Sequence, residues 1–302
     1  MSAPKAVAGS SGAGRAWSSH ETPDLGALAR RRIRRDPVLV GALLILLAVI
    51  AAAVLAPVAA PDDPTQVDPR IRLAALGTVG HPLGTDQLGR DMLSRIMWGG
   101  RVSLVVGIVP VAVSAVGGTA LGLIAGYYGG VADQCVTRSL DVLFAFPAVL
   151  LALAIVSALG PSMYNAMLAI TVVAIPSFAR LVRASVLALR ARSFVEAAGS
   201  LGATHARIVV RHILPNAVSP AIVYGTFETG KTIVFAAALS FLGLGVQPPT
   251  AEWGAMLSQG RTVLSVAWHV ATLPGLVIFL VSLSFNVLGD GLRDILDPRR
   301  VA

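Results

Sequence analysis

The sequence is short of charge. Asp, Glu, Lys and Arg make up 13% of its 302 residues, against roughly 25% in an average soluble domain. Hydrophobic residues reach 55%, and the mean hydropathy is +0.75. Such a chain belongs in a bilayer. Cysteine is nearly missing: the single Cys135 excludes an intramolecular disulfide framework, and no run of Cys and His suggests a metal site. Aromatic residues are few, while Ala, Val, Leu and Gly dominate. That balance suits closely packed membrane helices and lacks the alternation of a membrane β-barrel. No GxxxxGK[ST] run occurs, and Gly-rich GGTALGLIAGYYGG lies inside an apolar stretch where small residues mean helix packing. The chain is therefore not expected to be an enzyme or to hydrolyse ATP. The net charge of +8 does not point to nucleic acid, because of where the charges lie.

Long apolar runs are what is there. A spanning helix needs about 20 apolar residues. Candidates fall near 38–58, 102–127, 142–159, 163–180, 217–244 and 263–288, with Gly160-Pro161-Ser162 dividing the third from the fourth. The expectation is an all-α polytopic membrane protein with six transmembrane helices. With the N-terminus inside, the inner segments hold 17 of the 24 Lys and Arg, Arg180 included, and the outer ones six. Lys/Arg excess marks the cytoplasmic side, so both termini are expected there, in a cell membrane. The outer loop then covers 59–101, and a cytoplasmic loop covers 181–216.

Residues 1–29, rich in Ala, Gly and Ser, read as a disordered cytoplasmic tail ahead of a permease-sized domain at 30–302. The run RRRIRR at 30–35 reads as a topology anchor beside anionic lipid. In the outer loop, Asp91 to Trp98 has helical spacing. It is expected to lie at the membrane surface with Arg90, Arg95 and Arg101 near headgroups.

The inner loop carries EAAGSLGATHARIVVRHILPN at 196–216. It is too polar to cross a bilayer. Its small side chains form a short helix shaped either to enter a groove on another protein or to rest on lipid. Physics alone leaves both readings standing.

A resemblance favours the first. Glu196-Ala197-Ala198, then Gly202, then Ile213-Leu214-Pro215 is similar to the EAA loop of permease subunits of bacterial ATP-binding cassette importers. HPLGTDQLGRDMLSR (81–95), LSFLGLGVQPPTAEWGAML (239–257) and NVLGDGLRDILDPR (286–299) resemble the second permease of the dipeptide/oligopeptide type. The resemblance covers residues 30 to 299. It implies a type I importer permease fold, a second homologous permease, two cytoplasmic ATPases and an extracytoplasmic substrate-binding protein. ATP and Mg would sit at the partner subunits, with no cofactor on this chain. The resemblance makes roughly Val195 to Ala206 the coupling helix, with Glu196, Ala197, Ala198, Gly202 and Ala203 touching the ATPase. The implied function is ATP-driven import of dipeptides or short oligopeptides by alternating access. Nickel, glutathione or haem remain as other cargo for the same class.

Glu228 and Lys231 stand three apart in the fifth span, so they can pair on one helix face. Charges at that depth face a bundle interior or an aqueous cavity; they line a passage or simply let the helix pack. Relatives often carry a carboxylate where this chain has Phe235 and Ala236. A proton-coupled secondary transporter using Glu228, Lys231 and His269 is the rival class. Gln247, Glu252 and Trp253 are expected at the outer surface, where Trp253 reads as an interfacial anchor and the resemblance implies contacts for the binding protein. Asp133, Arg138 and Asp141 read as topology and local pairing, and Asp290, Arg293, Asp294 and Asp297 as a charged cytoplasmic end.

Overall fold

The computed structural model describes residues 36–296. The expected tail, the RRRIRR run and Asp297 lie outside the described residues. Helix α1, Pro37–Ala59, opens at Asp36, whose carboxylate accepts from Val38 N and Leu39 N at 3.1 and 3.2 Å. Pro37 sits at the first helical position, where a missing N–H costs nothing.

The next helix is longer than expected. α2 runs unbroken over Met92–Tyr128, 37 residues, capped by Asp91 Oδ2 on Ser94 N at 2.7 Å. The surface helix at 91–98 and the span from 102 are therefore one element. The apolar side of 92–98 faces protein: Met92 and Arg95 are each 1% exposed. At 1.5 Å per residue α2 is about 55 Å long. It thus connects two ends of the bundle, one around Trp253 and one around Val195.

α3 (Gly130–Phe144) and α4 (Ala148–Leu159) meet at a bend of 86°. Pro147 causes the break, because its ring removes a donor and disfavours the helical conformation before it. The span expected at 142–159 is thus corrected: α4 has 12 residues, about 18 Å of rise, short of the ~30 Å hydrocarbon core. α3 is held to α5 (Met163–Arg190) by Asp133 with Arg183 at 2.5 Å and Asp141 with Arg180 at 3.3 Å. The expected local pairing is thus replaced by pairing between helices, 39 and 50 positions apart in the chain.

The chain continues through α6 (Ser193–Ser200), α7 (His205–Ile208) and a π-turn at Val209–Ile213 into α8 (Leu214–Phe241). After an irregular stretch come α9 (Trp253–Gly260) and α10 (His269–Leu296). Among the described residues α1, α2, α5 and α10 are long and apolar enough to span a membrane, and the bent α3–α4 pair makes a fifth. The 28-residue α8 has the length but not the apolarity, since it carries Glu228 and Lys231.

The closest seam lies between α2 and α5. Gly118, Gly122 and Gly126 recur at every fourth position, one face of a helix. A Cβ on Gly118 would fall 2.5 Å from Phe178 Cβ, and one on Gly122 would fall 2.6 Å from the Ala179 carbonyl oxygen. Gly117, one position round, would meet only Ile175, at 3.9 Å. In lipid no water-driven force holds helices together, so this backbone approach does. Gly118→Val is expected to destabilise the folded protein by about 1–3 kcal/mol, the overpacking range. Gly117→Val should change it by under about 1 kcal/mol. Melting in detergent, followed by size exclusion, checks both.

Candidate functional site

At the Val195 end the chain leaves the bundle and returns. α6 is seated by Val195, and the return path by Ile208 and Ile213; they are 7%, 5% and 0% exposed. All three enter one apolar cluster with Tyr127, Val182, Val186, Ala217 and Ala221. The loop is therefore anchored on α2, α5 and α8 at once. Between α6 and α7 the chain turns at Gly202, whose φ of +79° disfavours any residue with a side chain. Thr204 caps α7. His205 Nδ1 stands 2.8 Å from the Tyr127 hydroxyl, a second tie to α2.

The opposite side is open. Glu196, Ala197, Gly199, Ser200, Leu201 and Gly202 are exposed, while Ala198 and Ala203 are half-buried against the cluster. Glu196 makes no ion pair among the described residues. A cavity of about 380 Å³ lies beside it, lined by Tyr127, Tyr128, Arg190, Val195, Glu196 and His205. The expected coupling residues thus fall on one short element. It has buried feet and a small-residue outer face.

In α8, Lys231 Nζ lies 2.9 Å from Glu228 Oε2. The Glu228 side chain is 11% exposed and that of Lys231 is 68%. The pairing expected from the spacing is present, and its cationic end faces outward from the chain. Tyr224 lies beside Glu228 and Ser177. Behind the pair α8 presses on α10, with Ser282 Oγ donating to the Gly230 carbonyl at 2.9 Å. Two grooves flank α8. One, about 540 Å³, is lined by Val111, Ala115, Thr119, Ile222, Thr226 and Thr229; the other, about 580 Å³, by Leu181, Tyr224, Phe227 and Arg293. Ala236 is 5% exposed and Phe235 half-buried, both in packing contacts.

The Trp253 end corrects several expectations. Trp253 is 0% exposed; its indole N–H donates to the Ile96 carbonyl at 3.0 Å. Glu252 is 3% exposed, caps α9 through Gly254 N and Ala255 N, and accepts from Ser103 Oγ at 3.1 Å. Both are internal, so neither offers a surface to a binding protein. Their sequence context, straight after Pro248-Pro249, suggested an exposed turn; instead α9 folds back between α2, α8 and α10. Gln247 is exposed, with its side-chain amide donating to Gly243 and Gly245 carbonyls at 3.0 Å.

Arg90 and Arg95 are not at headgroups either. They are 4% and 1% exposed and share Asp86, at 2.7 and 3.5 Å. Gln259 of α9 accepts from both, at 3.0 and 3.4 Å. Arg101 alone is exposed, its guanidinium 5.1 Å from the Trp98 ring centre. His269 is buried against Gly84, and its Nε2 finds no hydrogen-bond partner among the described residues. Sequence reasoning missed Asp86, Ser103 and Gln259. The Asp86–Arg90 spacing of four was the available signal; the other partners are more than 140 positions apart.

Helices long and apolar enough to span a membrane, packed as one bundle around α2, make this an integral membrane protein. Comparison identifies its kind. Residues 118–301 match the family described as binding-protein-dependent transport system inner membrane component. Residues 25–75 match the N-terminal transmembrane domain of oligopeptide transport permease C. The glutathione transport system permease protein GsiD of Pectobacterium atrosepticum is 49% identical over 89% of both chains. The dipeptide transport system permease protein DppC of Alkalihalophilus pseudofirmus is 44% identical over 90% of this chain and 89% of its own. A chain of the MetNI methionine ABC transporter, in an inward facing conformation, superposes with TM-score 0.55. It is 19% identical and covers 68% of this chain and 98% of its own, which shows the fold alone. The chain belongs to the binding-protein-dependent transport system inner membrane component family. It is a permease subunit of an ABC importer, all-α, with the type I importer fold.

Asp86 is the carboxylate shared by two buried guanidiniums. Asp86→Asn, which leaves them without a counter-charge, is expected to cost about 3–5 kcal/mol. Arg101→Ala, on the exposed surface, should stay within about 0.5 kcal/mol. Thermal unfolding of the two variants in detergent reads the difference.

Proposed function

We infer that this chain couples ATP hydrolysis in partner subunits to alternating access for short peptides. The observation that carries the reading is the seat of the 196–203 loop. Val195, Ile208 and Ile213 fix it rigidly to three long helices, while Glu196 to Gly202 stay exposed. A helix docked in an ATPase cleft would pass any displacement straight to α2, α5 and α8. The bundle then has two states whose balance nucleotide can bias. ATP and Mg belong to the two ATPases. A second homologous permease completes the passage, and an extracytoplasmic binding protein delivers cargo to the Trp253 end, where Gln247 is the surface candidate. The N- and C-termini are cytoplasmic. Six crossings are the topology we adopt, counting α8 and the bent α3–α4 pair.

Relatives named for glutathione and for dipeptides both point to short peptides as cargo. Glu228 and Lys231 suit such cargo chemically. A peptide carries an ammonium and a carboxylate, and an intramembrane pair with one exposed cationic end can exchange its partner for either. The rival, a proton-coupled carrier, needs a chain of exchangeable sites. His269 is buried away from the pair, at the first residue of α10, with an unpartnered Nε2.

Glu196→Arg or Gly202→Asp is expected to reduce peptide uptake about tenfold or more, since charge clashes at a docking surface cost several kcal/mol. Membrane levels should stay normal, because both positions are exposed and aspartate adopts the left-handed backbone of position 202 at a cost of roughly 1–2 kcal/mol. Normal transport by both variants sinks the coupling assignment. Uptake should fail on ATP depletion and survive collapse of the proton gradient; the reverse pattern selects the carrier. Replacing Glu228 and Lys231 together by Gln and Met should leave folding intact and alter uptake. Unchanged uptake would make the pair a packing device.

A further inference from the structure

Three donors from separate stretches of the 60–91 segment converge at the start of α2. His81 Nδ1 lies 3.0 Å from Asp91 Oδ1 and 3.5 Å from Asp62 Oδ2. All three donor atoms lie within 4.8 Å of one another. The side chains of Asp91 and His81 are 0% and 17% exposed, and that of Asp62 is 37% exposed. Ser94 braces both carboxylate residues. Its N–H donates to Asp91 Oδ2 at 2.7 Å, and its hydroxyl accepts from the Asp62 N–H at 3.0 Å. Among the described residues His81 is the one side chain ion-paired with either carboxylate. Two anions therefore face a single imidazole, and even a protonated ring would leave one charge unbalanced.

We propose that Asp62, His81 and Asp91 form a divalent-cation site that takes zinc. Zinc bonds of about 2.0–2.1 Å at tetrahedral angles put neighbouring donors roughly 3.3 Å apart. The separations of 3.0 and 3.5 Å bracket that value. One imidazole nitrogen with two carboxylate oxygens suits zinc, whereas magnesium and calcium favour all-oxygen sets. The exposed flank of Asp62 leaves the fourth position to water. A divalent ion offsets both carboxylates and takes the place of the proton between His81 and Asp91. Its effect is structural. It staples residues 62, 81 and 91 together and fixes the long loop on the first turn of α2. The inference is independent of cargo and of ATPase coupling.

The test uses the full-length chain, purified in detergent through a histidine-free tag, stripped with EDTA and titrated with zinc chloride by calorimetry. About one zinc per chain is expected. Asp62→Asn and His81→Gln should each weaken binding by about tenfold or more, while His212→Gln leaves it unchanged. Asp62→Asn keeps both the Asp91 cap and the His81–Asp91 contact, so its melting without zinc should match wild type. Zinc should raise the melting temperature of wild type and of His212→Gln alone. No stoichiometric binding, or equal binding by wild type and both loop variants (an adventitious ion only), overturns the proposal.

Discussion

The constraint beneath this structure is that lipid supplies neither water for polar groups nor a hydrophobic force between helices. Contact must come from backbone approach, and α2 and α5 meet it with glycines that let the chains touch. A Cβ on Gly118 or Gly122 would strike side chain or backbone at under 3 Å. That seam spans much of α2 and sets where everything else can pack. α8 lies against both helices, α10 lies against α8, and the bent α3–α4 pair is clamped to the outer side of α5 by Asp133 and Asp141. Small residues at the seam also explain a composition rich in Ala and Gly and poor in aromatics.

The two ends of α2 are finished in different ways. At the Trp253 end, buried charged groups are tied into hydrogen bonds. Asp86, Arg90, Arg95 and Gln259 join the loop to α9, and Glu252 with Ser103 joins α9 to α2. Breaking such a network strands a buried ion, so this end resists rearrangement. At the Val195 end the ties are apolar feet plus one Tyr127–His205 contact. Apolar feet hold the loop to its three helices without a buried charge that movement of the whole unit would strand. A transporter that changes its open side needs a joint that moves as a unit. The opposite end must hold its own shape meanwhile. The polar end and the apolar end supply those two properties.

What the sequence disclosed follows the same division. Local signals were legible. Asp36-Pro37 marks the start of α1, Gly202 the turn of the 196–203 loop, and the 228–231 spacing an ion pair that does form. Arg90, Arg95, Glu252 and Trp253 were misplaced for one reason. Charge and tryptophan near a membrane edge ordinarily face water or headgroups, and only the re-entry of α9 buries them here. That re-entry joins residues such as Ser103 and Glu252, far apart in the chain, which no local pattern records. The break before α4 was also hidden, because 142–159 is uniformly apolar and hydropathy is blind to a change of direction.

Glu228 and Lys231 hold the remaining tension between packing and passage. A pair that existed only for packing would gain most by burying both ends together. Instead Glu228 is enclosed beside Tyr224 while the Lys231 side chain is 68% exposed. In a lipid-facing position that exposure would carry a large penalty, since an ammonium at mid-membrane costs ~2.5 kcal/mol or more. Under the proposed pairing with a second permease, the stripe of α8 that holds Lys231 faces that subunit or an aqueous route between the two. Either environment would solvate the exposed ammonium while Glu228 stays enclosed.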